Sequence, residues 1–322
     1  MKVLVTGGNG FVGSHVVEAL VRRGHEVTCL VRRTSDLRWI RHLKVAYRYG
    51  DLRDPETLVD AVMGADAVLH LAGVVRASRP EGYFRVNLQG TENVLRACER
   101  GKVRYFLLMS SLSAAGPAGG PEPLREGEER GPISSYGMSK LKAERAALAR
   151  SGTFKVCVFR PPAVYGPRDT ETLSFFRWAK RGILPIPAKR PGLLSLIYAK
   201  DLAQACVMAS EAQAEGTYFV CHPELTSWEE VGGIVAGKFG KKPVPIYLPF
   251  PLVYTISLFV ESVGRMTKKP PLLSREKVRE MARPYWICDP SKAERHFGFR
   301  AKVGLKEGLE ETVGWYIKEG WL

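Results

Sequence analysis

Short apolar runs and amphipathic stretches alternate along the first half of the chain. Six apolar runs predict buried strands, at residues 2–5, 26–31, 45–49, 67–71, 104–109 and 155–159. Apolar residues at helical spacing predict helices between them, at residues 11–23, 55–63, 83–99 and 135–149. Because strands that alternate with helices form parallel sheets covered on both faces, the pattern predicts a doubly wound α/β fold.

A glycine-rich turn directly follows the first apolar run. Gly7 permits a tight turn, Gly10 lets the backbone approach a ligand, and Gly13 lets the next helix pack close to the strand. The start of that helix presents free N–H groups and the positive end of its dipole to an anion. The spacing predicts a Rossmann fold that binds a dinucleotide pyrophosphate here. Taken alone, the motif is also compatible with an ordinary strand-to-helix turn.

The regular alternation ends near Arg160, where proline becomes more frequent. We therefore predict an NAD(P)-binding Rossmann domain over residues 1–160 and a smaller, mainly substrate-binding lobe over 161–322. The apolar run at 217–220 is expected to return to the main sheet. Residues 246–260 are almost continuously apolar, which is typical of an apolar substrate pocket, of helix core, or of a helix that touches a membrane surface.

Tyr136 and Lys140 lie four residues apart at the start of a predicted helix, so they share one helix face. The Lys140 ammonium is expected to lower the pKa of the Tyr136 phenol toward the working range of a general acid or base. Ser110 and Ser111 follow the fifth strand, at the sheet edge where ligands of open parallel sheets bind. Surface pairs and turn serines are common, but together with the glycine turn these residues form a specific pattern.

Charge and cysteine content bear on whether the protein binds nucleic acid or metal and on its cellular compartment. The chain carries 48 Lys and Arg against 33 Asp and Glu, a net charge of +15, but they are scattered without a long basic run. A diffuse basic surface is favoured, and no nucleic-acid partner is predicted. The six cysteines lack CxxC and metal-ligand spacing, which indicates reduced, buried thiols and no metal site. Since the first strand begins at Lys2, no signal peptide fits before it, and we expect a cytoplasmic protein.

These motifs resemble those of the extended short-chain dehydrogenase/reductase family, also called the NAD-dependent epimerase/dehydratase family, over essentially the whole chain. Residues 6–13 match its TGxxGxxG turn, and Tyr136 and Lys140 match its YxxxK pair. Residues 160–167, 197–203 and 289–293 resemble three later motifs of the family. The resemblance assigns Ser111, rather than Ser110 or Ser113, as the catalytic hydroxyl beside Tyr136 and Lys140. It also implies a homodimer formed through the helices that contain Asn87 and Tyr136.

The end of the second strand bears on the choice of cofactor. An NAD-binding site usually has a carboxylate there for the ribose hydroxyls, whereas this chain has Arg32 and Arg33, which can clamp a 2′-phosphate. NADP(H) is therefore favoured over NAD(H), with exposed arginines that bind nothing as the alternative. With the positions implied by the resemblance, the predicted cofactor-binding residues are Thr6, Gly7, Asn9, Gly10, Phe11, Val12, Gly13, Arg32, Arg33, Asp51, Leu52, Leu71, Ala72, Gly73, Asn87, Ser110, Tyr136, Lys140, Pro161 and Val164.

The resemblance implies hydride transfer between a nicotinamide and a substrate carbon, with Tyr136 exchanging a proton with the attached oxygen. Leu112 and Ser113 replace the Asp-Glu pair of the dehydratases, and residues 161–163 lack the asparagine common in nucleotide-sugar epimerases. Residues 110–117 and 181–187 look more like the 3β-hydroxysteroid dehydrogenase and dihydroflavonol-reductase branch.

We therefore predict an oxidoreductase that interconverts a secondary alcohol and a ketone on a small, apolar substrate. The alternatives are a nucleotide-sugar epimerase or dehydratase, and a non-catalytic NADP-sensing binding protein. The stretch at 116–132, rich in Gly, Pro and Glu, is expected to be a mobile loop that covers the site.

Overall fold

A computed structural model of the chain describes residues 1–186, 192–267, 270–271 and 273–322. Its strands are β1 Lys2–Thr6, β2 Glu26–Val31, β3 Ala46–Tyr49, β4 Ala67–His70, β5 Tyr105–Met109, β6 Lys155–Arg160, β7 Ala163–Tyr165, β8 Ile183–Ile186, β9 Leu193–Leu194, β10 Leu196–Tyr198, β11 Gly216–Phe219, β12 Val244–Tyr247 and β13 Tyr285–Trp286. Residue 187, the last of one motif assigned above, lies outside the described residues.

The helices are α1 Phe11–Arg22, α2 Pro55–Val62, α3 Pro80–Tyr83, α4 Gly90–Arg100, α5 Leu112–Ala115, α6 Ser135–Leu148, α7 Leu173–Lys180, α8 Ala199–Glu211, α9 Trp228–Gly237, α10 Phe250–Thr267, α11 Arg275–Met281, α12 Ser291–Phe297 and α13 Leu305–Lys318. A π-helical segment, Phe84–Gln89, joins α3 to α4, so the helix predicted at 83–99 is longer and wider in its first turns. The extra residue per turn appears where Asn87 is buried, as is common for π-helical turns at functional sites.

Seven parallel strands form the main sheet in the order β11-β6-β5-β4-β1-β2-β3. The doubly wound α/β prediction is confirmed, including the return of the run near 217–220, which is β11. The chain builds outward from β1 in one direction through β2 and β3, and in the other direction through β4 and β5. This reversal opens a crevice at the carboxyl ends of β1 and β4, where ligands of such sheets bind.

Side chains on alternate positions of each strand enter two separate cores. Val3 and Val5 of β1 pack in a cluster with α1 and α8, whereas Leu4 packs in a cluster with α2, α4 and α6. This is the two-sided burial that a parallel sheet covered by helices requires. The glycine turn after β1 is therefore held between two packed helical layers.

A third apolar cluster lies in the carboxyl-terminal part of the chain, around Tyr165, Phe176, Tyr198 and Tyr316. Two two-stranded parallel pairs border it, β7 with β10 and β8 with β12, whereas the pair of β9 with β13 packs in a separate cluster with Leu112 and Ile287. The apolar run at 246–260 spans the end of β12 and most of α10. Within the described part of the chain, no helix is both long and apolar enough to cross a membrane.

The stretch at 116–132 is anchored, which corrects the prediction of a mobile loop. The Ala118 N–H donates to the Tyr285 carbonyl at 2.9 Å, and the Leu124 N–H to the Ile287 carbonyl at 3.1 Å. Glu126 accepts the Phe219 N–H at 2.7 Å. The sequence pattern did not reveal these bonds because their partners lie about 100 residues or more further along the chain.

Candidate active site

The glycine turn has the close backbone approach that its spacing predicts. Gly7 has a φ of +71°, and a Cβ there would lie 2.7 Å from the Ala72 nitrogen. A Cβ on Gly13 would lie 2.0 Å from the Gly7 carbonyl oxygen. Gly10 precedes α1 without a side-chain cap, so the first-turn N–H groups, from Phe11 onward, are left for a ligand. This cradle fits the pyrophosphate of a dinucleotide.

The two arginines predicted to select the cofactor lie directly after β2, and both are exposed. The Arg33 guanidinium stands over the Tyr49 ring, 5.2 Å from its centroid. Asp51 is bonded to Arg53 at 2.7 Å, and this bond lowers the pKa of the Asp51 carboxyl to about 2, with Arg32 a smaller contributor. Arg32, Arg33 and the Asp51–Arg53 pair thus lie together at the carboxyl ends of β2 and β3.

Asn9 and Leu52 lie at the same edge of the cleft. The Asn9 side-chain amide donates to the Asp36 carbonyl at 3.2 Å. The Leu52 carbonyl accepts from the Asn93 amide at 2.7 Å. Both residues are held in place at the rim, and their contacts with a cofactor stay a prediction.

The three predicted catalytic residues are brought together at the carboxyl edge of the sheet. Ser111 lies two residues after the end of β5 and caps α5, where its hydroxyl accepts from the Ser113 N–H at 3.1 Å. The Ser111 hydroxyl is near enough to the Tyr136 phenol to act on its pKa, which it lowers. Lys140, one turn further along α6, is buried and donates from Nζ to the Met109 carbonyl at 2.9 Å.

The expected effect of Lys140 on Tyr136 is wrong for this structure. Burial raises the pKa of the half-buried Tyr136 phenol above its ordinary value, and the Ser111 hydroxyl opposes the rise only in part. Burial also lowers the pKa of Lys140 to about 8, against the attraction of Glu144. The Lys140 amine is engaged by the Met109 carbonyl, so the Tyr136 phenol keeps its proton at neutral pH and is suited to donate it.

A buried histidine that the sequence analysis missed ties the glycine turn to α4. The imidazole of His70 bonds the Thr6 hydroxyl at 2.7 Å through Nδ1 and the Thr91 hydroxyl at 3.0 Å through Nε2. Burial lowers the pKa of His70 to about 3, so the ring is neutral. The sequence did contain a signal for His70, because it is a polar residue at the end of a buried apolar strand. In a parallel sheet, this carboxyl end of a strand is the edge where ligands bind.

Asn87 joins the nicotinamide side of the cleft to the catalytic helix. Its amide accepts the Val74 N–H at 2.8 Å, donates to the Val74 carbonyl at 3.1 Å, and donates to the Ser139 hydroxyl of α6 at 3.0 Å. A Cβ on Gly73 would lie 3.0 Å from the Lys140 amine and 3.1 Å from Asn87 Oδ1. Because Gly73 has no side chain, the lysine amine and the Asn87 amide can approach its backbone closely.

The side chain of Ser110, another predicted cofactor contact, is hydrogen-bonded within the protein. Its hydroxyl donates to the buried Glu144 carboxylate. Glu144 also pairs with Arg160 at 2.6 Å, and Arg160 reaches Glu129 of the anchored stretch at 2.5 Å. The Ser110 hydroxyl thus belongs to a buried ion-pair network that joins α6 to β6, and a contact of Ser110 with a cofactor stays a prediction.

The remaining predicted cofactor positions lie at the carboxyl ends of strands. Leu71 and Ala72 follow β4, and the Ala72 N–H donates to the Thr6 hydroxyl at 3.3 Å. Pro161 follows β6 and accepts the Leu112 N–H at 2.8 Å, while Val164 lies on β7. Their positions fit the edge of the cleft, and their contacts with a cofactor stay a prediction.

Two carboxylates of α11 hold the start of the catalytic helix. Glu280 accepts the Ser134 hydroxyl at 2.7 Å, and Glu276 accepts both the N–H and the hydroxyl of Ser135, at 2.9 and 2.6 Å. Negative charge near a helix N-terminus is favourable because it meets the positive end of the helix dipole. No sequence pattern pointed to these residues, since they lie about 140 positions from their partners.

The cleft with its serine, tyrosine and lysine defines an NAD(P)-dependent oxidoreductase of the short-chain type. Residues 3–221 match the model of the NAD dependent epimerase/dehydratase family, and the chain belongs to that family. The predicted resemblance is thereby confirmed.

Two relatives and one solved structure illustrate the range of the family. The chain is 33% identical to ceramide reductase of Caulobacter vibrioides, over 99% of this chain and 96% of that protein. It is 26% identical to 3 beta-hydroxysteroid dehydrogenase type 7 of Mus musculus, over 97% of this chain and 94% of that one. The NAD complex of Thermus thermophilus UDP-glucose 4-epimerase superposes with a TM-score of 0.80 at 28% identity, covering 98% of this chain and 99% of the epimerase chain.

Proposed function

We propose that the protein is an NADP(H)-dependent carbonyl reductase that converts a ketone on an apolar, lipid-like substrate to a secondary alcohol. The observation that carries this proposal is the Tyr136 phenol, which burial keeps protonated beside Ser111 at the carboxyl edge of the sheet. Reduction of a ketone requires a proton donor at the substrate oxygen, and a phenol in this state supplies one.

The residues of the site have separate roles in this reaction. A bound nicotinamide cofactor supplies the hydride. Tyr136 donates its proton to the substrate oxygen, and Ser111 holds that oxygen in line by a hydrogen bond. Lys140, one helical turn away and close to the Gly73 backbone, binds the ribose on the nicotinamide side.

The substrate class rests on the relatives and on the residues after β6. The named activities of ceramide reductase and 3 beta-hydroxysteroid dehydrogenase concern lipids. Pro161, Pro162 and Ala163 occupy the segment where nucleotide-sugar epimerases commonly have an asparagine. A nucleotide-sugar epimerase is the second candidate, because the Thermus thermophilus enzyme shares the fold over nearly the whole chain.

The test is oxidation of NADPH by the purified protein with a panel of long-chain acyl, ceramide-type and sterol ketones. We expect turnover with at least one of them, and a loss of about 10²- to 10⁴-fold in kcat for Tyr136→Phe with unchanged NADPH binding. Interconversion of UDP-glucose and UDP-galactose would instead support the epimerase. If the unchanged protein and the Tyr136→Phe variant both bind NADPH and neither turns over any substrate, the result would support the non-catalytic sensor.

The preference for NADP(H) rests on Arg32 and Arg33, which lie exposed after β2 where no acid is present. We expect the double variant Arg32→Ala/Arg33→Ala to raise KM for NADPH about tenfold or more while leaving KM for NADH nearly unchanged. Arg48→Ala, on the exposed strand β3, is the matched control for lost surface charge. If the double variant raised KM for NADPH and KM for NADH by the same factor, the result would contradict a preference for NADP(H).

We also propose that the enzyme is a cytoplasmic homodimer that pairs through α4 and α6. All six cysteines are free and buried, as the sequence analysis expected, which suits a reducing compartment. Light scattering of the purified protein measures the assembly.

A further inference from the structure

One face of α10 carries a continuous stripe of exposed apolar side chains. Its members recur at intervals of four and three residues, which places them on one side of the helix. They are between 42% and 85% exposed: Leu252, Ile256, Phe259, Val263 and Met266. Single exposed apolar residues are ordinary, but a stripe along a whole helix marks an interaction surface.

The opposite face of α10 is seated on the protein. Val253 and Ser257 are buried, and Glu261, at the next position of the same face, pairs with Arg275 of α11 at 2.8 Å. The helix is therefore held in one orientation, with its apolar stripe directed away from the core. Because α11 also holds the start of the catalytic helix, the stripe is connected to Tyr136 through α11.

Positive charge is concentrated in the segment of the chain that contains this stripe. Residues 238–283 contain ten Lys and Arg against three Glu, nearly half of the excess of 15 in the whole chain. The three glutamates are turned inward, onto Arg275, Ser135 and Ser134. The exposed basic side chains of the segment include Lys241, Lys242, Lys277, Arg279 and Arg283.

We propose that α10 docks the enzyme on the surface of an anionic lipid bilayer. An apolar stripe flanked by basic residues is the pattern of a helix that lies in the membrane interface, with its apolar face among the acyl chains. Its 18 residues give a helix about 27 Å long, and Val244 and Ile246 of β12, shortly before it in the chain, are exposed apolar residues as well. The charge favours this partner over the same basic segment of a second copy, because the two like-charged segments would repel each other.

The experiment is co-sedimentation of the purified protein with phosphatidylcholine vesicles, with and without phosphatidylglycerol. It needs neither substrate nor cofactor, so its result is independent of the proposed reductase activity. We expect binding to the anionic vesicles, and binding weaker by at least about tenfold for Phe259→Gln/Met266→Gln. Lys241→Gln/Lys242→Gln should weaken binding to anionic vesicles by about fivefold or more.

Ile317→Gln is the matched control, because Ile317 is an exposed apolar residue on the helix α13. It should bind vesicles like the unchanged protein, and thermal unfolding should show all variants folded. Three results would overturn the proposal: absence of vesicle binding, equal binding by the Phe259→Gln/Met266→Gln variant, or a dimer that this variant alone converts to monomer. The last result would identify the stripe as an interface between two copies of the chain.

Discussion

The nucleotide cleft and the pair of helices α10 and α11, here called the arm, differ in which side chains they bury and which they expose. In the cleft, polar groups such as His70, Asn87 and Lys140 are buried, and each has a hydrogen-bond partner in the protein. In the arm, large apolar side chains such as Phe259 and Met266 are exposed. A buried polar group is costly unless it is bonded, so the cleft is held rigidly for a reaction. The arm instead keeps apolar surface available for a partner outside the chain.

The largest effect that distinguishes the two regions is expected from their ion pairs. Arg160→Leu should lower the free energy of unfolding by about 3 to 5 kcal/mol, because it leaves the buried Glu144 carboxylate without its guanidinium. Arg275→Leu, which breaks the more exposed pair with Glu261 in the arm, should cost about 1 kcal/mol or less. Urea denaturation measures both, and equal losses would contradict the contrast.

A pair of glycine substitutions compares the tightly packed backbone of the glycine turn with an open position on a surface helix. Gly13→Ala should lower the free energy of unfolding by about 3 kcal/mol and abolish NADPH binding, because its Cβ would lie 2.0 Å from the Gly7 carbonyl oxygen. Gly314→Ala on α13 meets no atom within 4 Å and should stabilise the protein slightly. Calorimetry and fluorescence titration with NADPH check the pair. Tight NADPH binding by the Gly13 variant would show that the turn is not the pyrophosphate site.

The loss of folding stability at acid pH should come largely from the buried His70 of the cleft. Burial lowers the pKa of His70 to about 3 from its ordinary 6.5, so between these values the unfolded chain binds a proton that the folded protein does not. Stability is therefore lost as pH falls below about 6.5, by up to about 1.4 kcal/mol per pH unit. His15, whose pKa burial lowers to about 4, adds a second contribution. Urea denaturation at several pH values should show a shallower slope for His70→Asn, whereas an unchanged slope would contradict this account.

The smallest expected effect concerns the link between the two regions. Glu276→Ala removes the acceptor of the Ser135 N–H and hydroxyl at the start of the catalytic helix, and should cost about 1 kcal/mol of stability. Glu229→Ala, which removes an exposed bond to the Tyr247 hydroxyl, should cost less. Thermal unfolding measures both. If the two variants lose the same stability, the α11 contact is no more than an ordinary surface bond.

Local patterns predicted the parts of the site that lie close together in the chain. The spacing of Gly7, Gly10 and Gly13 predicted the cradle, because a strand followed at once by a helix leaves few geometries for the turn between them. Tyr136 and Lys140 were predicted to share a helix face, and they do. The direction of the pKa shift at Tyr136 was wrong, because burial depends on what packs around the phenol and sequence spacing does not report it.

The sequence by itself determined the doubly wound sheet, the glycine cradle and the shared helix face of Tyr136 and Lys140, since each follows from periodicity or from spacing within one or two elements. The choice of Ser111 as their partner came from the resemblance to the family. Only the tertiary structure decided that the Ser110 hydroxyl serves Glu144, that His70 ties Thr6 to α4, and that α11 holds the start of the catalytic helix. It also decided that the apolar run at α10 is surface rather than core. The reason is physical: burial and long-range hydrogen bonds arise when segments far apart in the chain are packed together.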